Sequence, residues 1–346
     1  MKFIGSHRLI YFGLVVGRLW VGEGVGAEKS GSANALDSGH FRWKVSEPLV
    51  APVTREDFCY SVKDPSIVFH EGRWHLFSTI RSQKRTHQIE YVSFARWEEA
   101  GRAPRQIMKL SDGYFCAPQV FFFRPQKKWF MILQINDPAR TPSLQPAYST
   151  TTNLADPFSW SKPELLFSAQ PENVKAWIDF WVICDGDQAH LFFTSNNGLM
   201  WRAATRLENF PRDWSRPDIV LRGDIFEASH TYRLQGQQRF LTLIEAVDGS
   251  RRYYKAYLAD RLDGEWRPLA ATRENPFASP VNARDAAAHW TDSFSHGELL
   301  RVGTDERLEV DPANLRFLFQ GVSDQGMSGK KYGEIPWRLG LLEPDL

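Results

Sequence analysis

Aromatic-rich apolar runs recur along the chain in pairs, and a short polar turn splits each pair. The pairs are DPSIVFHEGRWHLFSTI from Asp64, APQVFFFRPQKKWFMILQI from Ala117, DFWVICDGDQAHLFFTS from Asp179, EASHTYRLQGQQRFLTLIEAV from Glu227 and SHGELLRVGTDERLEVDPANLRFLFQGV from Ser295. Each reads as a strand, a turn containing Gly, Asp or Lys, and a second strand. Their starts lie 53, 62, 48 and 68 residues apart, close to the period of a propeller blade. Between them, IEYVSFARW (89–97), PAYSTTTNLADPFSW (146–160), LMWRAATRLENFPRDW (199–214) and RYYKAYLADRLDGEW (252–266) supply further strands, each closing on a tryptophan. Four-stranded blades follow. A β-sandwich would not predict a regular period of this length. Helical signal is almost absent, apart from one turn expected in FARWEEAGRA (94–103). The pattern predicts an all-β protein, a five-bladed β-propeller occupying residues 41–346 as one domain. Its fifth blade is expected to be closed by FRWKVSEPLV (41–50) pairing with WRLGLLE (337–343). Such closure leaves no exposed sheet edge.

Composition changes this picture little. Of 346 residues, 42% are hydrophobic and 24% charged, as in a folded globular protein. Aromatics reach 14%, with 13 Trp and 24 Phe, enough to fill the gaps between stacked sheets and to pack against sugar rings. The net charge of +1 argues against a nucleic-acid surface. Cys59, Cys116 and Cys184 have no metal-type spacing. They allow one disulfide or three buried thiols. Residues 1–27 have a basic start, the apolar run LIYFGLVV and small residues ending at Ala27, although Arg18 and Glu23 interrupt the pattern. This is the layout of a secretory signal, implying a secreted or periplasmic protein. The run is too short for a membrane anchor, which needs about 20 apolar residues. Residues 28–40 read as a flexible linker.

In a propeller the first strand of every blade lines the axis, so residues at its start converge on one mouth. Asp64, Asp179 and Glu227 are thereby expected to face one another. Asp179 in WIDFWVI and Glu227 in IFEASHTY sit among apolar neighbours, where a charge is costly without partners. Asp64, before Pro65, also fits an ordinary turn residue. Glycoside hydrolysis needs one protonated and one ionised carboxyl group flanking the bond to be cut. A third carboxylate helps to separate their pKa values. His296 in FSHGELL reads either as a core histidine or as an axial ligand, with Glu298 on the same strand face.

These motifs, in this order, resemble the family 62 glycoside hydrolases, which are α-L-arabinofuranosidases with a five-bladed β-propeller. The resemblance spans about residues 41–343. It is strongest in APQVFFFRPQKKW, AYSTTTNLADPFSWSKPELLF, WIDFWVICDGDQAHLFFTS, IFEASHTY, SHGELLR and IPWRLGLL. It implies an inverting, exo-acting hydrolase that removes arabinofuranose side groups from arabinoxylan or arabinan, and a monomer with no organic cofactor. Asp64 matches the family's general base, Glu227 its general acid, and Asp179 the carboxylate that raises the acid's pKa and orients substrate. Lys63, Arg252 and Tyr332 match sugar-pocket positions. His296 matches a histidine that helps to hold a structural calcium ion, largely through water.

The chain departs from the family pattern in places. KDPS stands where KDFT is usual, and the loop expected over 134–147 lacks a tryptophan. Gly333 stands where Asn is usual, and Ala313 replaces a cysteine. The trio of acids is intact, while the preference for one polysaccharide backbone is left open. Two other readings remain: a related propeller glycosidase acting on xylosides, arabinan or fructosides, and a sugar-binding propeller without catalysis.

Overall fold

The computed structural model describes residues 31–345 except residue 56 and residues 286–288, together with Met1. The expected signal in residues 1–27 therefore lies outside the described residues. Five sheets are formed, each a blade of a ring. Blade I contains Cys59–His70, Arg73–Ser82, Thr86–Phe94 and Arg105–Ile107. Blade II contains Phe115–Phe123, Lys128–Asn136, Leu144–Thr151 and Glu164–Leu165. Blade III contains Ile178–Asp185, Gln188–Thr194, Leu199–Arg206 and Asp218–Arg222. Blade IV contains His230–Leu234, Phe240–Asp248, Arg251–Ala259 and Arg267–Ala270. Blade V contains Ser293–Leu299, Phe317–Val322, Arg338–Pro344, Trp43–Val45 and Ala283–Asp285.

Burial falls from axis to rim. Phe115–Phe123 and Ser293–Leu299 are buried almost throughout, whereas Asp218–Arg222 has no fully buried position. Inner strands are covered on both faces, so they read as unbroken apolar runs rather than alternating ones. Two of the recurring tryptophans wedge one blade against the one before. Trp160 meets Phe77 of blade I edge-on at 5.7 Å, and Trp266 meets Phe192 of blade III at 5.9 Å. The helical turn expected in 94–103 is present as Trp97–Arg102.

Two local expectations are corrected. Of the linker at 28–40, Gly31–Ser38 is a helix, and Ala35 and Leu36 are buried in the core. Their apolar side chains repay the ordering that a free linker would not. The loop expected over 134–147 shrinks to residues 137–143, because the flanking strands extend to Asn136 and from Leu144. All three cysteines are buried free thiols.

Ring closure follows the expected route. Trp43, Lys44 and Val45 pair antiparallel with Pro344, Glu343 and Leu342. Trp43 is 1% exposed, donates its indole N–H to Phe277 O at 2.5 Å and packs against Phe41 and Phe277. The fifth hairpin is less simple than its pattern. Residues between Leu299 and Phe317 leave the blade, and Glu309–Val310 pairs in parallel with Arg233–Leu234 of blade IV. Replacing Trp43 with Ala removes the main anchor of the closing strand and should cost about 3–5 kcal/mol. Thermal unfolding should then occur on the order of 10 °C lower. An unchanged midpoint would mean that this strand does not close the ring.

Candidate active site

Each inner strand carries at least one residue too many for its partner. In blade I, Lys63 pairs with Thr79 and Ser66 with Phe77, so two residues oppose one. The same excess occurs between Cys116 and Gln119 in blade II and between Ile178 and Trp181 in blade III. In blade IV, Glu245 donates its N–H to Glu227 O while His230 pairs with Leu243. In blade V, His296 is left out between the paired Ser295 and Gly297. Such a bulge bends the strand and re-aims its side chains. Asp64, Ala117, Asp179 and Ala228 have φ of 48°, 49°, 55° and 54°. This is the left-handed region, which Asp tolerates better than most residues.

The acids sit at or beside these bulges: Asp179 is at the start of Ile178–Asp185 as expected, whereas Asp64 lies inside Cys59–His70 and Glu227 just before His230–Leu234. The bulges still bring the expected residues together. His296 Nδ1 lies 3.6 Å from Asp64 Oδ1 and 3.7 Å from Asp179 Oδ2. Asp179 Oδ2 accepts the Ala228 N–H at 3.2 Å, next to Glu227. Lys63 Nζ is 3.9 Å from Asp64 Oδ2 and 5.1 Å from the centre of the Tyr332 ring. Arg252 contacts Glu227 Oε1 at 3.4 Å and lies over the Phe226 ring at 4.1 Å. Tyr332 is 51% exposed and marks the rim. The side chains of Asp64 and Glu227 keep 9% and 10% exposure, so the site opens to solvent. Gly333 packs beside Arg81, and a Cβ there would meet Arg81 Nε at 3.3 Å.

The carboxyls are driven apart electrostatically. Burial alone would raise Asp64, but Lys63, His296 and the Thr79 hydroxyl outweigh it and hold the carboxyl below its ordinary value. Glu227 is pushed well above the usual range by burial first, then by Glu245 and Asp179, against the pull of Arg252 and Lys63. Asp179 is pushed up to about 6, chiefly by burial, with His296 opposing. One acid is built to be ionised and another to hold a proton.

Three further residues belong to this centre. Glu245 is fully buried, binds Arg252 at 2.8 Å and accepts from Ser295 Oγ and the His296 N–H, each at 2.8 Å. Its setting in TLIEAV, between Ile244 and Ala246, satisfies the criterion that singled out Asp179. Asn196 donates to Glu227 Oε2 at 3.2 Å, and Gln320 Oε1 accepts the Asp64 N–H at 2.7 Å. Neither carries a signal in the sequence beyond being polar. Glu298 pairs with Arg301 at 2.7 Å rather than with His296.

Calcium takes six to eight oxygen ligands. No three His, Cys, Asp or Glu side chains among the described residues are arranged to hold a metal ion. The donors at His296 do not form a calcium cage, and an ion there would draw nearly all its ligands from water.

The profile of glycosyl hydrolase family 62 matches residues 42–343. α-L-Arabinofuranosidase C of Cellvibrio japonicus (strain Ueda107) is 38% identical over 309 residues, which cover 87% of this chain and 46% of that protein. The chain therefore spans about half the length of the curated relative it matches. The catalytic domain of a family-62 α-L-arabinofuranosidase from Coprinopsis cinerea superposes with a TM-score of 0.83 at 36% identity, covering 89% of this chain and 98% of that one. An α-L-arabinofuranosidase from Podospora anserina, solved in complex with cellotriose, gives 0.83 at 34% identity with the same coverage. A profile match over nearly the whole propeller and this degree of identity place the chain in glycosyl hydrolase family 62.

Proposed function

We propose that the protein is an inverting, exo-acting α-L-arabinofuranosidase that releases arabinofuranose side groups from arabinoxylan or arabinan. The observation that carries this reading is the opposed protonation of two acids on non-adjacent blades. Asp64 of blade I is held ionised beside Lys63, while Glu227, preceding the inner strand of blade IV, is held protonated by burial, Glu245 and Asp179. Inversion requires the two carboxyls to stand far enough apart for a sugar and a water between them, and acids on non-adjacent blades suit that separation. The related enzymes named above act as α-L-arabinofuranosidases.

Glu227 donates its proton to the leaving oxygen as the glycosidic C–O bond breaks. Asp64 takes a proton from the water that attacks the opposite face of the sugar. The new C–O bond comes from that water, and the anomeric centre inverts. Lys63, Asp179 and Arg252 hold the sugar hydroxyls, with Tyr332 at the rim. Asn196 and Arg252 fix the Glu227 carboxyl. His296 spaces Asp64 from Asp179. A sugar-binding propeller without catalysis would have no use for carboxyls driven in opposite directions. The features of residues 1–27 support secretion or periplasmic export, where such polymers are met.

Replacing Glu227 with Gln or Asp64 with Asn should each lower kcat by about 10²–10⁴ while leaving the unfolding midpoint in place. Proton NMR during wild-type turnover should show the β-anomer of arabinofuranose first. Initial α-anomer would refute inversion, and release of a different sugar would redirect the substrate assignment.

Asp179 also governs the pH profile. Activity needs Asp64 ionised and Glu227 protonated, so it persists below the ordinary carboxylate range and is lost as pH rises through the Glu227 value. The Asp179 charge raises that value. Residual kcat/KM of Asp179→Asn should therefore show an alkaline limb displaced toward lower pH. A limb that stays in place would separate Asp179 from control of the acid.

A further inference from the structure

A cavity of about 1030 Å³ lies between blades I and II. It is walled by Arg85 and Gln88 of blade I, by the connection from Ile107 to Tyr114, and by Ile135, Asn136 and Lys162 of blade II. This connection leads directly into the inner strand that bears Cys116 and the Ala117 bulge, so the cavity opens on the same face as the site. Tyr114 is the shared wall. Its hydroxyl accepts from Cys116 Sγ at 3.1 Å, and its ring meets His87 at 4.8 Å.

The lining is unlike that of the catalytic centre. Arg85, Lys109 and Lys162 contribute positive charge against the single acid Asp112. Lys109 Nζ lies 5.5 Å from the centre of the Phe158 ring, which is 55% exposed. Cations beside an exposed aromatic ring are complementary to an anionic sugar. A neutral arabinose or xylose would make no use of Lys109 and Lys162.

We propose that this cavity is an accessory subsite for a uronic acid branch carried by the same polysaccharide that presents its arabinofuranosyl group to Glu227. Lys109 and Lys162 receive the carboxylate, and Phe158, beside Lys109 at the cavity's edge, packs against the sugar ring. The inference rests on the arabinofuranosidase reading for its substrate, and it makes the enzyme selective for acidic arabinoxylan over neutral arabinoxylan.

The test compares the wild type with Lys109→Gln/Lys162→Gln on three substrates at low salt: a chromogenic arabinofuranoside, neutral arabinoxylan and uronic-acid-bearing arabinoxylan. The double variant should lose about fivefold in kcat/KM on the acidic polymer, mostly through KM, and nothing on the other two. High salt should erase the difference. Equal kinetics of the two proteins on the acidic polymer, or equal losses on both polymers, would overturn the subsite. Calorimetry with a uronic-acid-branched xylo-oligosaccharide lacking arabinose tests the site independently of turnover. Wild-type binding that the variant lacks supports it, and no wild-type binding overturns it. If no substrate releases arabinose, the arabinofuranosidase reading fails while the calorimetric result still decides the subsite.

Discussion

One extra residue in each inner strand is the constraint on which the site depends. A regular strand would send alternate side chains into the gaps between blades. The bulge instead turns Asp64, Asp179 and His296 toward the axis, and it frees backbone N–H groups from the ladder. A buried N–H left without a partner costs about 1–3 kcal/mol. In blades I, II, IV and V it is claimed by a polar side chain of the preceding blade. Gln320 of blade V accepts from Asp64, Thr79 of blade I from Ala117, Asp179 of blade III from Ala228, and Glu245 of blade IV from His296. The hydrogen bonds that satisfy the bulges are therefore those that hold neighbouring blades in register. Aiming the acids and locking the ring are one operation.

The opposite end of the axis is sealed. The segment that leaves blade V after Leu299 crosses beneath the ring, where Thr304 O accepts from Phe122 N–H and Glu306 O accepts from Cys184 N–H. The Glu306 carboxylate binds Arg124 at 3.0 Å, and Arg301 donates to the carbonyls of Ile67 and Val120. Blades I to IV are all tied to this one segment once its pairing with Arg233–Leu234 is included. A polysaccharide cannot thread through such a ring. What reaches Asp64 and Glu227 must enter and leave by the same mouth.

The ring itself was legible because each blade repeats a hairpin and a closing tryptophan, features that composition and period reveal. Asp179 was legible because Ile178 and Phe180 make an unpartnered charge implausible there. The same logic extends to Glu245, whose position in the second strand of a hairpin, rather than at its head, hid it. The bulges were not legible: adding one residue to a strand of mixed length alters neither composition nor turn chemistry. Gln320 and Asn196 gain their importance only from neighbours 256 and 31 residues away in sequence. The helix at Gly31–Ser38 was hidden for a related reason, since a small-residue segment looks like a linker until Ala35 and Leu36 find a core to enter.

Charge accounting explains why the proton resides on Glu227. Four acids are buried together, Asp64, Asp179, Glu227 and Glu245, with only Lys63 and Arg252 as permanent cations beside them. Lys63 lies against Asp64. Arg252 is nearer to Glu245, at 2.8 Å, than to Glu227, at 3.4 Å. Two carboxyls are thus left without a full counter-charge, and burying an uncompensated anion is costly enough that such a group takes up a proton instead. Asp179 has the imidazole of His296 at 3.7 Å and the Ala228 N–H to stabilise its charge. Glu227 has the Asn196 amide, the longer contact to Arg252 and a weaker pull from Lys63. The allocation of two cations among four acids therefore sets which carboxyl holds a proton and which is ionised.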